Sequence, residues 1–415
     1  MPLEELGIPN LSLRHLRAVL KVAETKNVTR AAELLNRSQT AITKSISDLE
    51  SQLKVPLFDR SPNGMSPTVY GEALAKRVQA ALQEFQTAGQ HYSEYAEIHR
   101  DVQNISVFSM DISYKRLAAF ISLNEYLELN RAADAISITR GAVYNSVRDL
   151  EELLEISLFE RTPTGVIPTD FSKVLARHFK LAFAQLRYAI DDIANIGGFS
   201  QGHIVIGDLP YSRTMITPRA INSLLEKFPY LQVETREGSY ETLEASLRSG
   251  ELDFIVGALR PPEKTSELIT ESLLEDSLCI IARHGHPLSK RDTIPLSELK
   301  TLSWVLPSKE TPSRKLFDEI LSHHGVEEPI HSITSSSLST LRGILIESDR
   351  VSLLSRHQIY YEEKYKLLTV LPVNLSGTRR MIGITRHAHT MLSPAAQSLF
   401  DEFKQVSAEI EQAES

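Results

Sequence analysis

The sequence predicts an α+β multidomain chain: two winged helix-turn-helix domains in tandem, then a two-lobed α/β domain. Three observations carry this. Residues 30–60, RAAELLNRSQTAITKSISDLESQLKVPLFDR, align without a gap with residues 131–161, RAADAISITRGAVYNSVRDLEELLEISLFER, at a constant offset of 101 and with 12 identities. That is far above chance, so the chain contains an internal repeat. In both copies the apolar residues recur at helical spacing, and beyond Gln201 the pattern changes to alternating strands and helices. A chain of 415 residues is also too long for one core. The expected units are 1–100, 101–198 and 199–415.

The first unit opens with a helix from Leu13 to Glu24, with Leu16, Val19, Leu20 and Ala23 on one face. Thr29 is the expected N-cap of a second, short helix, and Ser38 that of a third reaching about Leu53. Ile42, Ile46, Leu49 and Leu53 give the third helix its buried face, and the small Ala41 and Ser45 suit a helix crossing. Gln39, Thr40, Thr43, Lys44 and Ser47 then share the open face. Two helices with a tight turn, the second presenting polar side chains, make a helix-turn-helix. Gln and Thr suit base edges, and Lys44 suits a phosphate or a guanine. PLFDRSPNGMSPT follows as a hairpin wing turning at Pro62-Asn63-Gly64, with Arg60 at its base.

These residues resemble the N-terminal DNA-binding domain of LysR-type transcriptional regulators. The resemblance lies in Ala31-Ala32, Ser38-Gln39, Leu49-Glu50, Leu57-Phe58 with Arg60, and Pro62 with Gly64. It implies that the open face enters the major groove while the wing touches flanking backbone. The implied contacts are Gln39, Thr40, Thr43, Lys44 and Arg60. Asn63 departs from the family pattern, in which many members carry a basic wing residue.

The second copy keeps the scaffold better than the reading face. Val143, Val147, Leu150 and Leu154 match the first core one for one, Asn130 and Thr139 stand where the caps stood, and Pro163, Gly165, Pro168 and Thr169 keep the wing. Its face reads Arg140, Gly141, Tyr144, Asn145 and Arg148, with Arg161 at the wing base. All five face positions differ from the first copy. Gly141 costs the helix about 1 kcal/mol relative to alanine. Two readings stay open: a second DNA reader using Arg140, Tyr144, Asn145, Arg148 and Arg161, or a structural spacer.

A polar helix follows each wing, about Val69 to Glu97 and about Asp170 to Ile196, the latter ended by Gly197-Gly198. Leu175, Phe179, Phe183, Leu186 and Ile190 form a stripe along the second. In the family one such linker helix packs against its partner in a dimer, so the stripe is expected to face a second copy; a core within one chain is the other reading.

From residue 201 onward, HIVIGDL, YLQVETREG and DFIVGAL read as strands, separated by helices in TMITPRAINSLLEKF and SYETLEASLRSG. Such alternation predicts a parallel sheet flanked by helices. A second set runs through SLCIIARHGHPL, LSWVLP, HSITSS and RVSLLS, with helices at Ser313–His324 and Ser337–Ile346. RRMIGITR is expected to return to the first lobe, before a helix starting near Ser393. SLRSGELDFIVGAL and HPLSKRDTIPLSEL resemble the regulatory domain of the same family, itself similar to periplasmic binding proteins. Ligands in such folds sit in loops at strand C-termini. Those loops offer Ser212, Arg213, Thr214 and Ser239 from one lobe and Ser308, Thr311, Ser336 and Ser337 from the other. Helix ends lined with hydroxyls suit a small carboxylate or polyol. Each such Ser or Thr taken alone also reads as a simple helix cap.

Composition bounds the rest. The net charge of −8 argues against indiscriminate nucleic-acid binding, and residues 1–100, with 12 Lys and Arg against 11 Asp and Glu, are the least acidic third. The single cysteine, Cys279, forms no internal disulfide, reads as a core residue and fits a reducing cytoplasm. The N-terminus has no signal-peptide pattern, and no apolar run approaches the ~18 residues of a membrane span. No metal-binding, cofactor-binding or catalytic motif stands out. The expectation is therefore a cytoplasmic, non-enzymatic, effector-controlled regulator with no cofactor. Its expected partners are double-stranded DNA, a small-molecule effector and further copies of itself, as homodimer or homotetramer. The alternatives are a small-molecule binding module whose winged units serve protein assembly, and an enzyme in the two-lobed domain.

Overall fold

The computed structural model describes residues 10–61, 64–97, 102, 105–163, 165–197, 202–260, 267–328, 331–388 and 390–414. The first unit comprises α1 (Leu13–Thr25), α2 (Val28–Leu34), α3 (Gln39–Leu53), the hairpin β1 (Phe58–Ser61) and β2 (Gly64–Pro67), and α4 (Val69–Tyr95). The second comprises α5 (Tyr114–Tyr126), α6 (Leu129–Ala135), α7 (Arg140–Leu154), β3 (Phe159–Thr162), β4 (Gly165–Pro168) and α8 (Asp170–Ile196). Every element of the first recurs 101 residues later with the same length.

The repeated side chains explain this register. Glu50 accepts the backbone N–H groups of Leu57 and Phe58 at 2.8 and 3.3 Å, and Glu151 accepts those of Leu158 and Phe159 at the same distances. Each wing is also fixed to the end of its first helix, Met65 donating its N–H to the Lys26 carbonyl at 3.1 Å and Val166 to that of Leu127 at 2.9 Å. Gly64 and Gly165 have positive φ, and a Cβ there would lie 2.5 Å from the Lys26 carbonyl oxygen or 2.4 Å from that of Leu127. Only glycine permits that approach.

Ser38 and Thr139 cap the third helices as expected, each accepting a backbone N–H at 3.2 Å. The caps of the second helices lie elsewhere. Asn27, not Thr29, accepts the Arg30 N–H at 3.0 Å, and Glu128 takes the corresponding place rather than Asn130, with no side-chain cap bond.

The apolar stripe of α8 is covered within the chain, which corrects the expectation of a second copy. Leu175, Phe179, Phe183 and Leu186 are fully buried, whereas Ile190 is 39% exposed. Their cover includes α4: Phe85 packs against Phe179 with ring centroids 5.2 Å apart, and Tyr92 and Tyr95 meet Phe171 at 5.9 and 5.0 Å. As α4 advances from Phe85 to Tyr95 its partners on α8 run backwards, so the two linker helices are antiparallel. The peptide between the units joins this core, with Val107, Phe108 and Met110 fully buried. One hydrophobic core thus runs from Leu11 to Ile193.

Among the described residues the C-terminal domain has two five-stranded sheets. The first is ordered β6 (Leu231–Arg236), β5 (Gly202–Asp208), β7 (Phe254–Ala258), β14 (Arg380–His387), β8 (Leu268–Asp276). The second is ordered β11 (Ser332–Thr334), β10 (Trp304–Leu306), β12 (Val351–Ser355), β9 (Leu278–Arg283), β13 (Leu368–Val370). Both are mixed rather than parallel throughout. β5, β6 and β7 run parallel, but β14 is antiparallel to β7 and β8; in the second sheet β9 is antiparallel to β12 and β13. The reason is the crossing: β8 leads out of the first lobe directly into β9, and β14 returns to it. Helices α9 (Ile216–Lys227) and α10 (Tyr240–Arg248) belong to the first lobe, and α11 (Pro312–His323), α12 (Leu338–Ile346) and α13 (Tyr360–Lys364) to the second. The last helix, α14 (Pro394–Glu414), buries Leu399, Phe400 and Phe403 against the first lobe. Among the described residues no helix is long and apolar enough to cross a membrane.

Candidate nucleic-acid interface and effector cleft

The geometry of α3 follows from its two faces. Ile42, Ile46 and Leu49 are fully buried, which turns Gln39, Thr40, Lys44 and Ser47 outward and leaves Thr43 half-buried. Gln39, Thr40, Thr43, Lys44, Ser47, Asp48 and Arg60 line one open concavity between this helix and the wing. Gln39 is held in place, its amide donating to the Thr29 hydroxyl at 2.6 Å. Arg60 is exposed on β1, and neither it nor Lys44 has an ion-pair partner among the described residues. Two unpaired cations flanking amide and hydroxyl groups can meet phosphates while the neutral groups reach base edges. Asn63 lies outside the described residues.

On α7, Arg140, Tyr144, Asn145 and Arg148 are likewise exposed, but more of them are engaged. Arg161 donates to the Tyr144 hydroxyl at 3.0 Å and lies over its ring at 5.5 Å. Arg148 pairs with Glu152 at 3.2 Å on its own helix and approaches Asp149 at 3.9 Å. Arg140 has no ion-pair partner among the described residues. The second face therefore carries a different pattern on the same frame.

In the C-terminal domain the loops holding the expected effector residues do lie at the carboxyl ends of β5, β6, β10 and β11. Their side chains differ in what they do. Ser212 does not open a helix: α9 begins at Ile216, and the fully buried Ser212 hydroxyl donates to Asp208. Asp208 also accepts from Thr217 at 3.0 Å, and burial pushes its carboxyl up to about 6 despite these donors. Arg213 donates to the Asp208 carbonyl at 2.8 Å and to Glu237 at 2.9 Å. Ser239, Thr311 and Ser337 each cap the helix that follows, and Ser308 hydrogen-bonds Glu310. Ser336 is exposed. Of these eight, Thr214 spans the lobes, donating to the Gln358 carbonyl at 3.2 Å.

That contact belongs to a polar junction that sequence reasoning missed. Gln358 donates back to the Pro210 carbonyl at 3.2 Å, and Tyr211 and His357 are hydrogen-bonded at 2.9 Å. Beside them the buried Asp276 accepts from Ser355 at 2.6 Å and Arg380 at 2.9 Å. Asp276 ends β8 and Arg380 begins β14, so the network sits where the two crossing strands leave and enter the first lobe. Its members come from distant stretches, and only the Ser355-Arg356-His357-Gln358 run after a strand offered a local signal.

The linker helices bind this domain directly. Arg77 of α4 is buried and donates to Asp192 at 2.7 Å and to the carbonyls of Met391 and Leu392 at 2.7 and 2.9 Å. Arg177 of α8 forms a forked pair with Glu267 at 3.0 and 3.2 Å, and the Tyr188 hydroxyl donates to the buried Asp253. A change in the first lobe is therefore in mechanical contact with the winged units.

Comparison with known proteins follows the same divisions. The family described as bacterial regulatory helix-turn-helix protein, lysR family, matches twice, over residues 13–72 and 114–173, and the LysR substrate binding domain matches residues 197–408. The HTH-type transcriptional regulator GalR of Pseudomonas putida is 33% identical over 405 residues, covering 98% of this chain and 99% of that one. The HTH-type transcriptional regulator PcaQ of Agrobacterium fabrum is 25% identical over 299 residues, 72% of this chain but 96% of its own. Among solved structures, a full-length OxyR from Pseudomonas aeruginosa superposes with a TM-score of 0.54 at 21% identity, over 71% of this chain and 95% of that chain. CbnR, a LysR family transcriptional regulator, gives 0.51 at 12% identity, over 71% and 99%. These two likenesses bear on the fold alone.

Proposed function

The chain belongs to the lysR family of bacterial regulatory helix-turn-helix proteins, and from that membership we propose that it is a DNA-binding transcriptional regulator controlled by a small-molecule effector. The observation that carries this reading is the open face of the first unit, where Gln39, Thr40 and Thr43 share one concavity with two cations, Lys44 and Arg60, that have no ion-pair partner among the described residues. In this reading Gln39 and the threonines read bases, and Lys44 and Arg60 hold phosphates. On the second unit Arg140, Tyr144, Asn145, Arg148 and Arg161 face the same duplex. The effector, a small carboxylate or polyol, sits between the lobes above the Thr214–Gln358 contact, within reach of Ser239, Ser308, Thr311, Ser336 and Ser337. Its binding shifts the junction at Asp276, and the Arg77 and Arg177 contacts pass that shift to the winged units. The protein acts in the cytoplasm, as a homodimer or homotetramer, and we assign it no catalytic step.

Anisotropy titration on a fluorescent duplex from the DNA upstream of its own gene tests the interface. Lys44→Ala should lower the slope of log affinity against log salt by about 0.9, and an unchanged slope removes Lys44 from the phosphate contacts. Thermal shift against a panel of small carboxylates and polyols tests the cleft. A compound that stabilises the wild type should lose that effect with Thr214→Leu; undiminished stabilisation would place the effector elsewhere.

A further inference from the structure

The two winged units are related by more than sequence. Adding 101 to a residue of the first gives its twin in the second, so Arg77 is the twin of His178 and Glu84 of Gln185. Glu84 meets His178 at 2.9 Å, and Arg77 meets Gln185 at 3.1 Å. Exchanging the units turns the first contact into the second. Contacts that map onto each other under exchange, between antiparallel helices, define a local two-fold axis between α4 and α8. The packing agrees. Phe85 lies on Phe179 at 5.2 Å, and their twins, Leu186 and Val78, are both fully buried.

Each head is fixed to its own linker helix. Thr68 and Thr169 donate their N–H groups to Leu57 and Leu158 at 3.0 and 2.9 Å, and cap α4 and α8. The heads are also fixed to each other. Phe108, from the connecting peptide, packs on Gly89, the Tyr92 hydroxyl donates to the Leu154 carbonyl at 2.6 Å, and Arg14 pairs with Asp111 at 2.7 Å. The recognition helices α3 and α7 are consequently related by the same axis. Duplex DNA carrying an inverted repeat has that symmetry, which is why two-fold protein pairs read palindromic sites.

We propose that one chain is a complete two-headed reader, which occupies both halves of an inverted site whose two half-sequences differ. This rests on the DNA-binding reading above and deepens it. The wings carry matching arginines, Arg60 and Arg161, so backbone contact is common to both halves. The reading faces share no residue: Gln39, Thr40, Thr43, Lys44 and Ser47 stand against Arg140, Gly141, Tyr144, Asn145 and Arg148. Equal frames with unlike faces select unlike half-sites, and the asymmetry sets the direction in which the chain lies on its target. Where copies assemble further, each brings its own pair of heads.

Selection of duplexes from a randomised library by the full chain, followed by native mass spectrometry of the bound duplexes, tests this. The expected site contains two different half-motifs in inverted arrangement, with one such pair per chain. Scrambling either half should weaken binding by about 10²–10⁴-fold, the usual gain from tethering two binding modules. A chain bearing Arg140→Gln, Gly141→Thr, Tyr144→Thr, Asn145→Lys and Arg148→Ser should select a palindrome of the first half-motif. Circular dichroism of that variant should match the wild type, since all five positions are on the outer face. Two chains on one pair of identical half-motifs, or one half-motif per folded chain, would overturn the proposal and leave DNA binding intact. Failure of the folded wild type to enrich any sequence would overturn the DNA-binding reading and this proposal together.

Discussion

In the proposed contact Gln39 would meet a base edge with its amide already held by Thr29, so little side-chain freedom would be lost on binding. Gln39→Ala should cost about 1–3 kcal/mol on the selected site and far less on random DNA, measured by anisotropy on both; equal losses would make it a general contact. Asp208 illustrates the opposite kind of residue, a buried carboxyl that works on stability. Its folded value of about 6 lies above the ordinary 3.8. The unfolded chain therefore ionises first as pH rises. The stability this group contributes is complete below about pH 4 and is lost as pH climbs through 6. Asp208→Asn, which keeps an acceptor for Ser212 and Thr217, should flatten that part of the melting-temperature curve. Both residues show what can be read from order alone. The face of α3 was legible because helical periodicity assigns each position an inside or an outside. The tether to Thr29 and the burial of Ser212 depend on neighbours that no spacing specifies. Thr29 and Asn27 are both good capping residues two positions apart, and only the backbone decides between them.

The linker helices make the same point at the level of elements. The stripe on α8 was visible as a period, but a period says that a face is covered and not by what. Its cover includes a helix 101 residues earlier, recognised through pairs such as Glu84 with His178. Phe179 touches Phe85 and Phe120 at 5.2 and 5.9 Å. Phe179→Ala should therefore destabilise the paired winged units by about 3–5 kcal/mol in denaturant unfolding. Ile190, the exposed end of the stripe, should tolerate alanine within about 0.5 kcal/mol. A large loss at Ile190 would indicate a surface covered in solution by another copy. The sheets were legible as lobes because strands and helices alternate, and β14 was legible as a strand returning to the first lobe; its antiparallel direction was not, since direction follows from the connection between lobes.

For the whole molecule, the repeat and the two-lobed domain fixed the order of parts, while the junction around Asp276 and the Arg77 contacts drew on residues far apart in sequence. Salt dependence reports on the assembled interface. Arg140→Ala combined with Arg148→Ala should lower the slope of log affinity against log salt by about 1, less than two full contacts, because Arg148 is already engaged by Glu152. An unchanged slope would leave the second head off the phosphates. The constant offset of 101 also bears on how such a regulator changes over generations. When two identical subunits read a site, one codon change alters both heads, so an exchange that suits a new base in one half is also imposed on the other. Each mismatched base pair costs about 1–3 kcal/mol, and the symmetric reader meets that penalty at the unchanged half. In the two-headed reading proposed above each head is encoded separately, so a base change in one half-site would be answered by a single substitution that leaves the other half's recognition untouched, and the two halves of its operators would drift independently.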